Sequence, residues 1–160
     1  MQMAILLSVG PDSKKIDKPF SVAEKFQIAN DWITDKGEAL WGVRFPLNKN
    51  SIIRKGGVFP IKGMFYVKKN SYFIPKTRRG FISYEVIIQD VESYKKPQTP
   101  SDPNLRPIQW RENFFRTYLR LSSKIEPIIP IQISEIRKWD GMILKGTSSV
   151  QGYVLVRSYE

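Results

Sequence analysis

The sequence predicts an α+β fold, a small and mostly antiparallel β-barrel flanked by one or two main helices. Strand-like segments outnumber helix-like ones, and most of them follow one another closely, as the strands of hairpins do. One long segment, residues 20–37, has the apolar periodicity of a helix. With 160 residues the chain has the length of a single domain, residues 1–160, that buries its own core.

The first two predicted elements are a buried strand and an amphipathic helix. Residues 3–9 are a short apolar run, which is typical of a buried strand. In residues 20–37, Ser21 and Glu24 have the spacing of a capping box, and Gly37 is a natural helix stop. The apolar stripe of this helix consists of Val22, Phe26, Ala29 and Ile33, with Trp32 beside it as a packing residue.

The middle of the chain predicts one helical turn followed by strands. Residues 50–57 form the turn, and residues 63–69, 71–75 and 80–94 are rich in the β-branched and aromatic residues of strands. The connections between these strands carry Lys68, Lys69, Lys76, Arg78 and Arg79. These cations indicate either a solvated hairpin or a rim that contacts phosphates, because loops tolerate charge in both cases.

The second half of the chain begins with a long loop, residues 95–107. Its four prolines exclude a regular helix and a central strand, and long ordered loops are often functional. The next strand, within residues 114–121, alternates an apolar face with one that carries Phe114, Arg116, Tyr118 and Arg120, as a strand facing nucleic acid does. Residues 133–139 predict a short helix, and residues 151–159 a closing strand.

The charge of the chain points to a polyanionic partner. Lysine and arginine number 26 against 15 aspartate and glutamate residues, a net charge of +11. Each phosphate that such a surface neutralises releases counterions, so nucleic acid is the expected partner, and a merely solvated basic surface is the alternative. No apolar run approaches a membrane span, and the first residues lack the basic start of a signal peptide. We therefore expect a cytoplasmic protein.

The residues that are missing argue against an enzyme. The chain has no Cys and no His, which excludes zinc clusters and Cys- or His-based nucleophile systems. Residues 141–149 lack the order of a phosphate-binding P-loop, and the carboxylates are too scattered for an acid/base pair. The sequence predicts a binding domain without a metal or cofactor of its own.

A series of short motifs follows in order along almost the whole chain. They are "AILLS" ending at Ser8, "WGVR" at 41–44 as a turn, "GMFYV", "RGFISYEVIIQDV", "IQW", "FFRTYLRL", "IPIQISEI" and "KGTSSVQGYVLV". This series resembles the EVE domains of the PUA-like superfamily, which are related to the YTH and ASCH domains. EVE domains usually carry Asn after the Val-Arg pair, where this chain has Phe45.

What the resemblance implies is a PUA-like fold with a pocket for a flipped, modified base. Unstacking a base costs a few kcal/mol, and aromatic walls recover roughly 1–3 kcal/mol per base. The implied pocket residues are Trp41 and Trp110 as first and second walls, Ser8 as a hydrogen-bonding group, and Phe45, Tyr66 and Tyr84. Ordinary core packing is the alternative for each aromatic. The basic side chains that we expect to contact the nucleic-acid backbone are Arg44, Lys68, Lys69, Lys76, Arg78, Arg79, Arg111 and Arg116. For Arg44 a structural ion pair is the alternative.

The same resemblance implies a biological setting. EVE- and YTH-like modules occur as N-terminal DNA-recognition domains of McrB-type restriction proteins, which act on modified foreign DNA. The basic, Ile- and Lys-rich composition without Cys is typical of an archaeal thermophile. We therefore expect double-stranded DNA with a methylated base as partner, a GTPase (AAA+) domain that binds GTP and Mg²⁺ further along the protein, and an McrC-like nuclease subunit. The alternatives are a PUA-like or ASCH-like RNA-binding module and a protein-interaction domain.

Overall fold

The computed structural model describes residues 2–13, 19–144 and 152–158. These residues form two α-helices, α1 (Val22–Lys36) and α2 (Lys49–Arg54), and seven strands. The strands are β1 (Met3–Val9), β2 (Ala39–Val43), β3 (Ile61–Val67), β4 (Ile82–Gln98), β5 (Phe115–Leu121), β6 (Glu126–Ile131) and β7 (Tyr153–Arg157). Short 3-10 helices cover Pro103–Leu105, Ile108–Trp110 and Ile133–Glu135.

The strands belong to one mostly antiparallel sheet. Their order is β2-β5-β4-β3-β1-β7, and β6 pairs with β4 beside this path. The pair β1 and β3 is parallel, since helix α1 and other elements lie between these two strands in the chain. The α+β class is therefore confirmed. Within the described residues the strand order does not close on itself, so the predicted barrel is not found.

The chain divides into two compact units. The first unit comprises Met1–Gln27, Lys62–Glu85 and Glu126–Glu160, and the second comprises Ile28–Ile61 and Val86–Ile125. Each unit consists of more than one segment of the chain, and both units contain part of α1 and part of β4.

The first unit is held together by apolar side chains of β1, β3 and their neighbours. Its buried cluster consists of Ala4, Leu6, Met64, Tyr66, Ile82, Ile133, Ile136, Leu144 and Val156. Phe26 of α1 lies with its ring 5.3 Å from that of Phe65 and 4.8 Å from that of Tyr84. Burial of one large apolar side chain contributes about 1.5–3 kcal/mol, so this cluster fixes the unit.

The second unit is built on the antiparallel pair β2 and β5. Trp41 pairs with Leu119, and Gly42 pairs with Tyr118. The side chain of Asn30 joins α1 to the residue that follows β5 by four positions. Its amide accepts from the Ile125 N–H at 2.7 Å and donates to the Ile125 carbonyl at 3.1 Å. Two buried backbone groups are thereby satisfied by one side chain.

Helix α1 follows the prediction closely. Ser21 and Glu24 exchange both capping-box hydrogen bonds, the four stripe residues are buried, and Gly37 ends the helix at φ +85°. Trp32 is half-buried, and its indole N–H donates to the Asn104 carbonyl, which agrees with a packing role. The strands predicted at 3–9, 63–69, 80–94, 114–121 and 151–159 and the turn of helix at 50–57 are confirmed within the described residues.

Two predicted elements near the middle of the chain are wrong. Residues 71–75 are a turn rather than a strand, since the Ile74 N–H bonds back to the Ser71 carbonyl and Phe73 has φ +72°. Residues 41–44 are not a turn, because Trp41, Gly42 and Val43 belong to β2. Their cross-strand pairing with β5 holds them extended.

The proline-rich segments also differ from expectation. Strand β4 continues to Gln98 and so takes up the start of the predicted loop at 95–107. Pro97, which has no N–H, is tolerated there because it lies in the irregular stretch between the paired residues Ser93 and Gln98, where no regular ladder requires a donor. Strand β6 was not predicted, and its two prolines lie on a strand whose pairing with β4 is irregular.

The helix predicted at 133–139 is shortened to the 3-10 turn Ile133–Glu135. Beyond that turn the chain pairs with β7, as the Arg157 N–H donates to the Arg137 carbonyl and the Trp139 N–H to the Leu155 carbonyl. Sheet pairing over a long sequence distance therefore outweighs local helix propensity. Residues 145–151, which belong to the last of the sequence motifs, lie outside the described residues.

Candidate nucleic-acid interface

Trp41 and Trp110, the two predicted walls, contact each other in the second unit. Trp41 lies on β2 and Trp110 ends the 3-10 turn Ile108–Trp110. Their ring centroids are 5.6 Å apart at an interplanar angle of 83°, and the two side chains are only 7% and 8% exposed. This edge-to-face contact is typical of packed aromatics. A base stacks on either indole only if the two rings move apart.

The residues that follow Trp41 are partly tied to β5. The Phe45 carbonyl accepts a hydrogen bond of 2.8 Å from the Thr117 hydroxyl, and Phe45 itself is half-buried. Arg44, the residue directly before Phe45, is exposed. Phe45 therefore has its backbone fixed by the sheet, while Arg44 is accessible to a phosphate.

The other predicted pocket residues, Ser8, Tyr66 and Tyr84, lie in the first unit. Ser8 on β1 is paired with Tyr66 on β3. Tyr66 is 3% exposed within the core cluster, and burial raises its pKa, so its hydroxyl stays neutral. Burial also raises the pKa of Tyr84, against the opposing charge of Arg78, whose guanidinium lies 5.4 Å from the tyrosine ring. The tyrosines are packed side chains, and the six predicted pocket residues are divided between the two units.

Three of the predicted phosphate contacts hold the protein backbone instead. Arg79 donates to the Ile74 carbonyl at 2.8 Å. Arg78 donates to the Ser83 carbonyl at 3.0 Å and to the Ile128 carbonyl at 2.7 Å. Arg116 donates to the Tyr94 carbonyl at 3.3 Å. All three are half-buried, so the role of these arginines in the structure is to hold loops and strands in place.

The remaining cations are more accessible. Five of them are exposed, and none takes part in the ion pairs formed between described side chains: Arg44, Lys68, Lys69, Lys76 and Arg111. Three of the five belong to one loop of the first unit, residues 68–80, which we call the basic loop. Its lysines supply the accessible positive charge that a phosphate needs.

The basic loop has a fixed conformation. Its ends are joined by a hydrogen bond of 2.7 Å from the Gly80 N–H to the Val67 carbonyl. Inside the loop, Ser71 and Ile74 are buried, at 0% and 4% exposure, and act as anchors. Arg79 donates to the Ile74 carbonyl at 2.8 Å, which ties the second anchor to the end of the loop.

Between these anchors two aromatic side chains project into solvent. Tyr72 is 66% exposed and Phe73 is 82% exposed. Phe73 also has a left-handed backbone (φ +72°), which costs a residue with a side chain about 1–3 kcal/mol and is concentrated at functional sites. The sequence does not single out either residue as functional, because the apolar run "SYFIP" is typical of a strand. The preceding Asn70 and Ser71, which are typical turn residues, were the signal for the turn.

A pocket in the second unit has the wrong charge for a phosphate. It is lined by Leu40, Asp90, Val91, Glu92, Ser101, Asp102, Tyr118 and Arg120, none of them a predicted pocket residue. Its single arginine, Arg120, is paired with Glu38 at 3.1 Å and lies 3.7 Å from Asp102. Tyr118, predicted on the nucleic-acid face of β5, is 1% exposed and donates to the Gln98 carbonyl. That face of β5 is therefore not available as a whole.

The neighbours of Asp90 in this pocket determine its ionisation. Burial pushes its pKa up, but hydrogen bonds from Lys49 and the Val91 N–H, with the charges of Lys49 and Arg120, bring the pKa below its ordinary value. The Lys49 ammonium lies 2.6 Å from the carboxylate. Asp90 is thus held ionised by its neighbours, as a structural ion pair is.

Among the described residues, no three Asp, Glu, His or Cys side chains are grouped to hold a metal ion. No helix in the described part of the chain is long and apolar enough to cross a membrane. Comparisons with family models, with curated proteins and with solved structures gave no match to this chain. The family resemblance therefore depends on the ordered sequence motifs.

Proposed function

We propose that this chain is a nucleic-acid-binding domain that reads a modified base in double-stranded DNA. The observation that carries the proposal is the basic loop, where exposed Lys68, Lys69 and Lys76 lie in one segment with two exposed aromatic side chains. Cations position a domain on phosphates, and aromatic faces bind bases, so the loop combines the two contacts that nucleic acid requires. The net charge of +11 supports the same partner.

The finer part of the proposal, recognition of a methylated base, concerns Trp41 and Trp110. Their contact brings two large aromatic surfaces together, as a base cage requires, and the rings would separate to admit a flipped base. A methyl group adds apolar area, which favours the modified base inside aromatic walls. The pocket of the second unit is acidic and is not part of this proposal.

The ordered motifs support an EVE-type module of an McrB-type restriction protein acting in the cytoplasm. In that setting this chain supplies target recognition. A GTPase domain and an McrC-like subunit, both outside this chain, supply GTP hydrolysis and cleavage of the DNA.

A titration with matched DNA duplexes tests the proposal. Fluorescence anisotropy is measured with duplexes that differ only in N6-methyladenine or a 5-substituted cytosine, over a series of salt concentrations. We expect tighter binding of one modified duplex and a background that weakens steeply with salt. Equal affinity for every duplex would exclude modified-base reading, and an absence of salt-dependent binding would exclude the DNA-binding function altogether.

The role of the Trp pair is tested by conservative variants, because both side chains are buried. Trp41→Phe keeps an aromatic ring, whereas Trp41→Ala removes about 3–5 kcal/mol of packing in a typical core. We expect Trp41→Phe to remain folded by circular dichroism and to lose discrimination while keeping the salt-dependent background. A folded Trp41→Phe variant with full discrimination would assign Trp41 to the core alone.

An RNA-binding function is the second candidate, and the exposed Tyr72 and Phe73 favour it, since unpaired RNA bases stack readily on aromatic side chains. Competition between a structured RNA and the modified duplex for the same labelled probe separates the two functions. Displacement by RNA at much lower concentration would favour the RNA-binding module.

A further inference from the structure

The aromatic pair Tyr72 and Phe73 has no role in the proposed base pocket. We propose that this pair is a stacking wedge that binds the faces of unpaired bases in DNA, while the lysines of the basic loop hold the neighbouring phosphates. This inference rests on the proposed nucleic-acid function and deepens it, because it assigns a second base-binding element and the kind of DNA that the element takes.

The exposure of the two rings follows from the conformation of the basic loop. Ser71 on one side and Ile74 on the other are buried, so the backbone between them is pinned at both ends. Phe73, held at φ +72°, lies between them with its side chain 82% exposed. Neither the strained backbone nor the exposed apolar ring of Phe73 stabilises the folded chain. The two features together therefore indicate that the ring binds a ligand.

The ring of Tyr72 is held in position by a neighbouring arginine. The Arg79 guanidinium lies 5.6 Å from the centre of its ring, and Arg79 is itself fixed by its hydrogen bond to the Ile74 carbonyl. The ring is thereby held in place while 66% of the residue stays exposed. Preorganised side chains lose less conformational entropy when they bind, so the pair is suited to capturing a base.

Charge identifies the occupant as nucleic acid. Lys68, Lys69 and Lys76 are exposed on the same loop, and no ion pair between described side chains neutralises them. Phosphates lie on both sides of every base in a strand, which matches a pair of rings flanked by cations. An acidic protein segment would satisfy the lysines but offers no flat partner for two aromatic faces.

The chemistry of stacking identifies the form of the DNA. An intact duplex presents the edges of its bases in the grooves, and the faces are covered by neighbouring bases. Faces become available where bases are unpaired or extruded, as they are beside a flipped nucleotide. The wedge should therefore prefer a duplex that contains a short unpaired stretch over the same duplex fully paired.

Anisotropy titrations with two unmodified probes test this preference. One is a fully paired duplex, and the other is the same duplex with a central bubble that carries the fluorescent base 2-aminopurine, whose emission is quenched by stacking. The variants are Phe73→Gly, which removes the ring and relieves the backbone, and Tyr72→Ala. Ile129→Ala is the matched control, since Ile129 is 88% exposed on β6 of the same unit.

We expect wild type and Ile129→Ala to bind the bubble more tightly and to quench 2-aminopurine. Loss of one stacked ring should weaken bubble binding by about 5- to 150-fold, and paired duplex binding should stay within a few-fold. The salt dependence of Phe73→Gly should equal that of wild type, because no cation is removed. Lys76→Gln should lower that dependence and leave the preference for the bubble in place.

Two results would overturn the wedge. The first is a Phe73→Gly variant that keeps both the bubble preference and the quenching, and the second is equal weakening on both probes. A wild-type chain that binds neither probe overturns the wedge and the DNA-binding function together. If wild type prefers the bubble but ignores base modification, the wedge stands and only the modified-base proposal fails.

Discussion

Gly42, in the centre of "WGVR", lies against an aromatic ring, and Gly42→Ala tests what that contact is worth. A Cβ atom at position 42 would lie 2.1 Å from Cδ2, 2.4 Å from Cγ and 2.6 Å from Cε2 of Phe115. Carbon atoms pack best at about 3.5–4.0 Å, so the ring must retreat by roughly 1.4 Å or more. The absence of a side chain at position 42 therefore makes room for the Phe115 ring.

The ring has little freedom to retreat. It makes an edge-to-face contact with Tyr118 at 5.9 Å, and Tyr118 is 1% exposed and bonded to the Gln98 carbonyl. Overpacking of a core costs about 1–3 kcal/mol, and we expect the upper half of that range for Gly42→Ala. For a chain of this size that corresponds to a fall in Tm of about 4–12 °C. Gly42 does not have a positive φ, so the cost is steric and not conformational.

Urea denaturation of a double-mutant cycle measures this effect. The variants are Gly42→Ala, Phe115→Ala and the double variant, compared with wild type. In the Phe115→Ala background the new methyl group meets no ring, so Gly42→Ala should be neutral or slightly stabilising there. An equal cost of Gly42→Ala in both backgrounds would refute the assignment of the strain to Phe115.

Two further predictions concern single side chains of the second unit. Asn30→Ala should lower the free energy of unfolding by about 2–3 kcal/mol in urea, because it leaves the Ile125 N–H and carbonyl unpaired; unchanged stability would contradict this. Asp90 has its pKa lowered from an ordinary 3.8, so the stability it contributes with Lys49 is present above about pH 4 and is lost as the pH falls through the lowered pKa. The urea midpoint of Asp90→Asn should therefore fall less than that of wild type between pH 5 and pH 2, roughly the window of carboxylate titration, and parallel pH profiles would argue against the ion pair.

The candidate site was predictable only in part. Exposed lysines at 68, 69 and 76 were named from the sequence, since a cation between apolar segments is rarely buried. Arg78 was assigned to a phosphate but bonds two carbonyls, one of them 50 residues away, a partner that local sequence does not reveal. Tyr72 and Phe73 were missed because an apolar run predicts a strand unless the turn inside it is recognised.

The sequence by itself determined the elements whose physics is local. The capping box and apolar stripe of α1, the β-branched run of β4 and the excess of positive charge all act between residues close in the chain. The tertiary structure decided the rest: the order of the described strands in the sheet, the contact of Trp41 with Trp110, and the exposure of Phe73 between buried anchors. Each of these features depends on contacts between segments that are far apart in the chain. The free energy of such contacts cannot be derived from a short stretch of sequence.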